Sequence, residues 1–393
     1  MVFYVYGRKL IVIAYFSNPV ICNLYSNGEK IMEEKQRTKE EVRQCLDEQR
    51  KTKEAVKEWL EACYDRSGEE RIKEPLQTKE DIKQWLEKIG VRNYTISNDL
   101  IVDVQGDVRL SGKNLSILPV QFGKIEGTFD CSNNHLHDLK GCPSVVLNHF
   151  NCSNNFLTDL HFPNKIGGHV DISSNRITRL DNLPEVVDSF DCSYNQLESL
   201  KGCPDTIKGN FDCSENQLKS LIGSPERIGG NFSCGNNKLR NLEDGPKYVE
   251  GDYNCEFNSE LTSLSGSPEH VGGIFYCPGC ELETLDGSPK YVEKRFECSL
   301  NNLHTLSGFN HACAIQCESN PNLSLAEIAH FKDKRGVEFW STDYTDEQID
   351  DAIKIIRLHE NMSQTIKQKD GLPLARVASD AQVSVTRTGK RKI

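Results

Sequence analysis

What this sequence does not contain narrows its function. It has no glycine-rich loop to cradle a phosphate, no His-Glu-x-x-His and no nucleophile elbow. Its ten histidines are scattered, and His135, His137, His149, His161 and His169 fall near one another only because adjacent segments vary. The expectation is a protein that is not an enzyme and uses neither metal nor cofactor. No apolar run approaches the ~20 residues of a membrane-spanning helix, so no membrane association is expected. Arg8-Lys9 followed by the apolar residues 10–16 has the flavour of a signal peptide, but no small-x-small cleavage site follows. Met32 opens an ordinary polar, helix-forming stretch, so one reading of residues 1–31 is an over-extended start. An edge strand or tail, and a signal or anchor, are the alternatives. Basic charge is also in deficit. Lys and Arg number 47 against 58 Asp and Glu, a net −11. Residues 100–330 alone hold 30 acids and 17 bases, a balance of −13, which points away from nucleic acid and towards a basic or polar protein surface.

What is present is a phrase returning about every 21 residues between 108 and 326. It reads Phe129-x-Cys131, Asn134, Leu136, Leu139, and recurs through Phe150/Cys152, Val170/Ile172, Phe190/Cys192, Phe211/Cys213, Phe232/Cys234, Tyr253/Cys255, Phe275/Cys277 and Phe296/Cys298. Worn copies at Val108/Leu110 and Ile315/Cys317 bring the series to eleven coils. A fixed period of this length means a solenoid, in which one coil cannot bury its apolar side but a stack can. Phe-x-Cys has period two, so both side chains point to one face of a short strand. The Asn three residues after the Cys turns the chain, because its amide bonds neighbouring backbone and it tolerates unusual dihedrals. Stacked, these Asn side chains form a ladder. Gly-x-Pro elements such as Gly141/Pro143 and Gly223/Pro225 then bend the chain back along an irregular convex side.

Sixteen cysteines raise the question of a disulfide framework. Eight of them, at 131, 152, 192, 213, 234, 255, 277 and 298, share one repeat position where Ile172 stands in. A position that accepts Ile holds a small buried hydrophobe. A reduced, cytoplasmic compartment follows.

The phrase Phe-Asp-Cys-Ser-Asn-Asn-x-Leu resembles the leucine-rich repeat, and its length and proline resemble the short bacterial class of secreted effectors. Its wording looks closer still to leucine-rich-repeat proteins of phages and prophages. The resemblance implies an α+β repeat fold, a solenoid with a parallel β concave face, and a role in binding a protein partner. For a phage-like chain that partner is a host or defence factor, met in the host cytoplasm. Secreted effectors of this type are often ubiquitin ligases with a catalytic Cys in a separate domain, but no Cys lies beyond Cys317. An effector-like or virion-associated structural role is the alternative.

Around the solenoid (108–326) the sequence divides into the extension 1–31, a charged helical arm 32–75, a helix-plus-hairpin cap 76–107, a helical cap 327–370 and a basic tail 371–393. Thr38, Thr52 and Thr78 each open a Thr-Lys-Glu phrase followed by an apolar stripe, as an N-capped helix does. In the third, Trp85 and Leu86 are set to lie over the first coil, and Gly90 to end the helix. Residues 93–96 and 100–104 read as a hairpin covering the first coil's strand edge. Towards the C-terminus a short helix is expected over 326–331. A longer one is expected over 345–368, with Ile349, Ile353, Ile356 and Met362 inward and Trp340 packed beneath it.

Residues alternating with the buried Phe and Cys make the concave wall. The expected partner-binding set there is Asp130, Asn151, Asp171, Asp191, Asp212, Asn254 and Glu297, an acidic groove for Lys or Arg of a protein bound by a single copy of the chain. Acids stacked this closely repel, and each needs Ser or Asn hydrogen bonds or a cationic partner. Tyr253 and Tyr276, with Tyr248 and Tyr291, mark an aromatic contact patch, because aromatics are favoured interface anchors. Cys277-Pro-Gly-Cys280 invites a zinc or redox reading, but Cys277 belongs to the buried row and no second Cys-x-x-Cys lies nearby.

Overall fold

The computed structural model describes residues 2–6, 9–13, 74–181, 183–184 and 188–370. The arm expected before residue 74 and the basic tail lie outside the described residues. Near the N-terminus, Val2–Tyr6 and Lys9–Ile13 pair as an antiparallel hairpin in a sheet of their own.

From residue 108 the chain winds as a parallel β-solenoid of about 11 turns, each of about 21 residues. Its inner sheet has twelve strands, from Val108–Arg109 to Glu338–Ser341, each hydrogen-bonded to the equivalent strand of the next turn. Register follows the phrase: Phe129 pairs with Phe150, Phe190 with Phe211, Phe232 with Tyr253, and Phe275 with Phe296. The rings stack inside at centroid spacings of 5.9 Å for Phe129–Phe150, 5.7 Å for Phe190–Phe211 and 5.0 Å for Phe275–Phe296. Such pairs add ~1 kcal/mol each beyond the area they bury. The eight row cysteines are fully buried with them, and no described cysteine forms a disulfide.

The Asn of each turn bridges two coils. Asn216 Nδ2 donates to Cys192 O of the preceding coil at 3.1 Å and to Cys213 O and Ser214 O of its own, while its Oδ1 accepts from Leu197 N at 2.9 Å. Asn134, Asn155, Asn175, Asn195, Asn237, Asn258, Asn301 and Asn320 repeat the arrangement. The left-handed dihedral, however, belongs to the residue before, such as Asn133, Tyr194, Glu215 or Leu300, with φ between 53° and 56°. One residue supplies the bend and the next satisfies the backbone the bend leaves open.

The convex side is not irregular. After each Gly-x-Pro bend two residues form a second short strand, and these assemble into two five-stranded outer sheets. One runs from 94–96 through 145–146 to 165–166, the other from 206–207 to 291–292. Each pair puts an apolar residue inward (Val146, Ile166, Ile207, Ile228, Val249, Val271, Val292) and leaves its neighbour outward. A side-chain ladder closes the corner back to the inner sheet: Asn231 N bonds Asn210 Oδ1 at 2.8 Å and Asp252 N bonds Asn231 Oδ1 at 2.9 Å. A Cβ on Gly230 would fall 2.3 Å from Asn210 Oδ1, so the residue beside that ladder has to be glycine.

Helix α1 (Lys79–Lys88) has Thr78 as its N-cap, with Thr78 Oγ1 accepting from Asp81 N at 3.1 Å. Gly90 ends it with φ +80°, and Val91 N bonds back to Leu86 O. Ile82, Trp85 and Leu86 are buried in the same core as the first coils. The hairpin 94–96/101–104 pairs with 121–125, so the edge it covers is that of the outer sheet.

Beyond the last Cys coil, α2 (Leu325–Arg335) extends past the expected short helix, and α3 (Asp346–Asp370) packs against it. Two expectations fail here. Trp340 is not packed beneath the helix but 66% exposed, because Glu338–Ser341 joins the inner sheet as its twelfth strand with Phe339 inward opposite Ile315. Met362 is 54% exposed, since among the described side chains of α3 only Ile349 is fully buried, with Ala352, Ile353 and Ile356 partly so. Among the described residues no helix is long and apolar enough to cross a membrane.

Candidate interaction face

The outward row of the inner sheet carries most of the residues singled out in the sequence. Asp130, Asn151, Asp171, Asp191 and Asp212 lie on adjacent strands in direct register, followed through Ser233 by Asn254, Tyr276 and Glu297. The Asp and Asn residues are half-buried, each tied into its own turn. Asp171 Oδ1 accepts from Ser173 N and Oγ at 2.9 and 2.7 Å, and Asp191 and Asp212 do the same with Ser193 and Ser214. Asn151 bonds Ser153 likewise, Asp130 Oδ1 accepts from Ser132 N, and Asn254 Oδ1 accepts from Glu256 N.

These bonds offset the mutual repulsion only in part. Burial, then the neighbouring Asp212 charge, pushes the Asp191 carboxyl up to about 6. Burial also raises Asp212. Among the described residues no ion pair engages Asp130, Asp171, Asp191 or Asp212, although Arg109, one strand before Asp130 in the same row, pairs with Asp107 at 3.0 Å. The row therefore presents fixed, partly desolvated acids, the arrangement that gains most from an approaching cation.

The C-terminal end of the face differs in chemistry. The Arg295 guanidinium lies 5.0 Å from the Trp340 ring centroid, within cation–π range, and also reaches the Tyr276 hydroxyl. Tyr276 is half-buried and Trp340 largely exposed, so an aromatic pair flanks one arginine. Beside them Glu297 is only 6% exposed, and burial pushes its carboxyl up to about 7 against the Ser299 hydrogen bonds and the Arg295 charge. Glu297 is thus a floor of this patch rather than an exposed contact.

The aromatic patch expected from four tyrosines does not form. Tyr253 is fully buried, because it occupies the ring position of its coil between Phe232 and Phe275. No partner can touch it in the folded chain. Tyr248 and Tyr291 lie on the outer sheet, in register through His270. Only Tyr276 faces the inner wall, and its actual companions are Arg295 and Trp340.

That outer row was missed in the sequence. Arg227 sits 4.4 Å from the Tyr248 ring centroid, His270 stacks on Tyr291 at 5.7 Å, and Tyr291 on His311 at 4.6 Å. The signal was present: Arg227, Tyr248, His270 and Tyr291 each precede an inward Ile or Val at the repeat spacing.

Cys277-Pro-Gly-Cys280 proves to be a packing variant of the turn. Cys280 takes the Asn position, fully buried, and its Sγ lies 3.5 Å from Cys255 O, the carbonyl an Asn would bond. A thiol supplies no acceptor like Oδ1, and Leu261 N turns instead to Asn258 O at 3.0 Å, which the extra residue Glu260 permits. Gly279 holds the left-handed position at φ +68°, where a Cβ would strike the Phe257 ring at 2.4 Å. Burial raises the Cys277 and Cys255 thiols far above their ordinary range, which keeps them protonated and unreactive. Among the described residues no three His, Cys, Asp or Glu side chains are grouped as a metal site requires.

A scan against protein-family models finds no match, and a search of curated proteins finds none either.

Proposed function

We propose that this chain is a leucine-rich-repeat binding protein, closed by helices at both ends, which captures a protein partner noncovalently on its inner face. The observation that carries the reading is the continuity of the inner wall. A hydrogen-bonded acidic row from Asp130 to Asp212 leads along one sheet to Tyr276, Arg295 and Trp340. Lys or Arg side chains of the partner sit over Asp171, Asp191 and Asp212, and Asn151 and Asn254 add hydrogen bonds. Tyr276 and Trp340 anchor an apolar group, Tyr, Trp and Arg being the residue types that dominate interface energetics. The likeness of the repeat wording to phage and prophage proteins supports a host or defence factor as the partner, met in the cytoplasm. No covalent step is assigned to any residue.

Affinity capture from the native host supplies the partner, and titration of the purified pair tests the site. Asp171→Lys, Asp191→Lys and Asp212→Lys together should weaken binding by ~100-fold or more, since truncating a desolvated charge pair costs several kcal/mol. Trp340→Ala alone should weaken it ~10-fold or more. Binding should also weaken as pH falls through about 6, where Asp191 takes up its proton. Unchanged affinity in both variants would remove this face as the binding site.

A further inference from the structure

The outer layer carries a column of rings that stops one turn early. His270 stacks on Tyr291 at 5.7 Å between centroids and 7° between planes, and Tyr291 on His311 at 4.6 Å and 18°. Each turn of the solenoid adds one ring, at close to the ~4.8 Å that separates neighbouring strands. Each ring stands just before a buried residue of the outer layer, Val271, Val292 and Ala312 in turn. The next pass of the chain brings Gly336 and Val337 beside His311 and Ala312, with Val337 packed against the core. Gly336 is the left-handed cap that ends α2, at φ +65°, and so offers no ring to continue the column.

A cavity of about 280 Å³ lies at that point, lined by His311, Cys313, Arg335 and Gly336, with the buried Phe309 and Ala312 also in its wall. A Cβ on Gly336 would meet nothing within 4 Å. Arg335 is exposed and donates from Nη2 to Phe309 O at 3.4 Å, and among the described residues no carboxylate pairs with it. Most of its donors therefore remain open.

We propose that this cavity binds a small aromatic carboxylate, whose ring lies against His311 as the next member of the column and whose carboxylate pairs with Arg335. A cavity of ~150 Å³ holds benzene, so this one has room for two fused rings and their carboxylate. The planar guanidinium matches the two carboxylate oxygens, whereas a neutral ring would leave it unpaired and a cation would be repelled. The end of α2 carries a partial negative charge, which Lys332, Lys334 and Arg335 in its last turn offset. The site belongs to the outer layer and shares no residue with the inner acidic row, so it stands or falls apart from partner capture.

Calorimetric titration of the full chain with naphthoate tests this. Binding should be about millimolar or tighter, the range open to a two-ring ligand. The neutral amide, naphthamide, and the non-planar cyclohexanecarboxylate should each bind ~10-fold more weakly. Arg335→Gln should weaken naphthoate ~10-fold and erase its advantage over the amide. His311→Ala should weaken it by a similar factor, and His311→Phe should not, since the ring face is kept. Gly336→Asn fills the slot with a residue that tolerates the left-handed cap, and should abolish binding. All three positions are exposed, so an unchanged thermal unfolding curve shows that each variant folds. Saturating naphthoate should also slow alkylation of the exposed Cys313 several-fold. No binding at ~5 mM overturns the proposal. So does binding that survives Gly336→Asn, or an amide that binds as well as the acid.

Discussion

Replacing Asn216 by Ala tests how the coils are held together. The side chain is 2% exposed and makes four hydrogen bonds across two turns, three as donor and one as acceptor. Truncation leaves Leu197 N–H buried without its acceptor, which costs about 1–3 kcal/mol, and removes donors to three carbonyls, each worth about 0.5–1 kcal/mol. The expected loss is about 3 kcal/mol, well above the typical effect of a substitution. Asn216→Cys is the informative companion. Cys280 fills the same position in its own coil, but there the extra residue Glu260 lets Leu261 N find another carbonyl. The coil of Leu197 has no such insertion, so Cys should recover the donor and not the acceptor, and regain less than half of the loss. Urea denaturation of the three proteins gives the energies, and hydrogen exchange at Leu197 locates the effect. A cost for Asn216→Ala under about 0.5 kcal/mol, or full recovery with Cys, would refute the ladder as the element joining coils.

Glu297 ionises at about 7 when folded and near 4.5 otherwise, so the folded state binds the proton more tightly and loses stability as pH rises through that window, by about 3 kcal/mol in full. Glu297→Gln should therefore match the native chain near pH 4 and exceed it by about that amount at pH 8, measured by denaturation at each pH; a difference independent of pH would contradict the assignment. The Tyr253 hydroxyl is buried with no nitrogen or oxygen partner among the described residues, and its neighbour, the Cys234 thiol, is a weak one. Tyr253→Phe should be neutral or stabilising by about 1 kcal/mol in thermal unfolding and leave partner capture unchanged, whereas a comparable destabilisation would show that the hydroxyl is satisfied.

The inner sheet could be read from the sequence because its phrase is long and chemically varied: a ring, a thiol, an amide and two leucines at fixed offsets define both the strand and its register. The outer sheets could not. Lys165-Ile166 or Arg227-Ile228 is a two-residue strand, too short to show alternation, and becomes visible only when stacked on its equivalents. Glu338–Ser341 escaped because it has neither the Cys nor the Asn of the phrase, and Trp340 was consequently placed inward, although the alternation around Phe339 turns it out. The tyrosine patch failed for a related reason. Tyr253 and Tyr276 are one turn apart in sequence, but one stands at the ring position and the other beside it, and strand alternation sends them to opposite faces. Arg295 joined Tyr276 and Trp340 only in three dimensions, since its companions lie one turn before it and two turns after.

The fold stands on stacked coils that enclose the thiol row. Alkylation of the native protein, read cysteine by cysteine by mass spectrometry, probes that enclosure. Cys131, Cys152, Cys192, Cys213, Cys234, Cys255, Cys277 and Cys298, all fully buried, should stay unmodified until denaturant is added, while the exposed Cys313 reacts at once. Labelling of the eight at the rate of Cys313, or their recovery as disulfides, would contradict the stacked solenoid and the inner face built upon it.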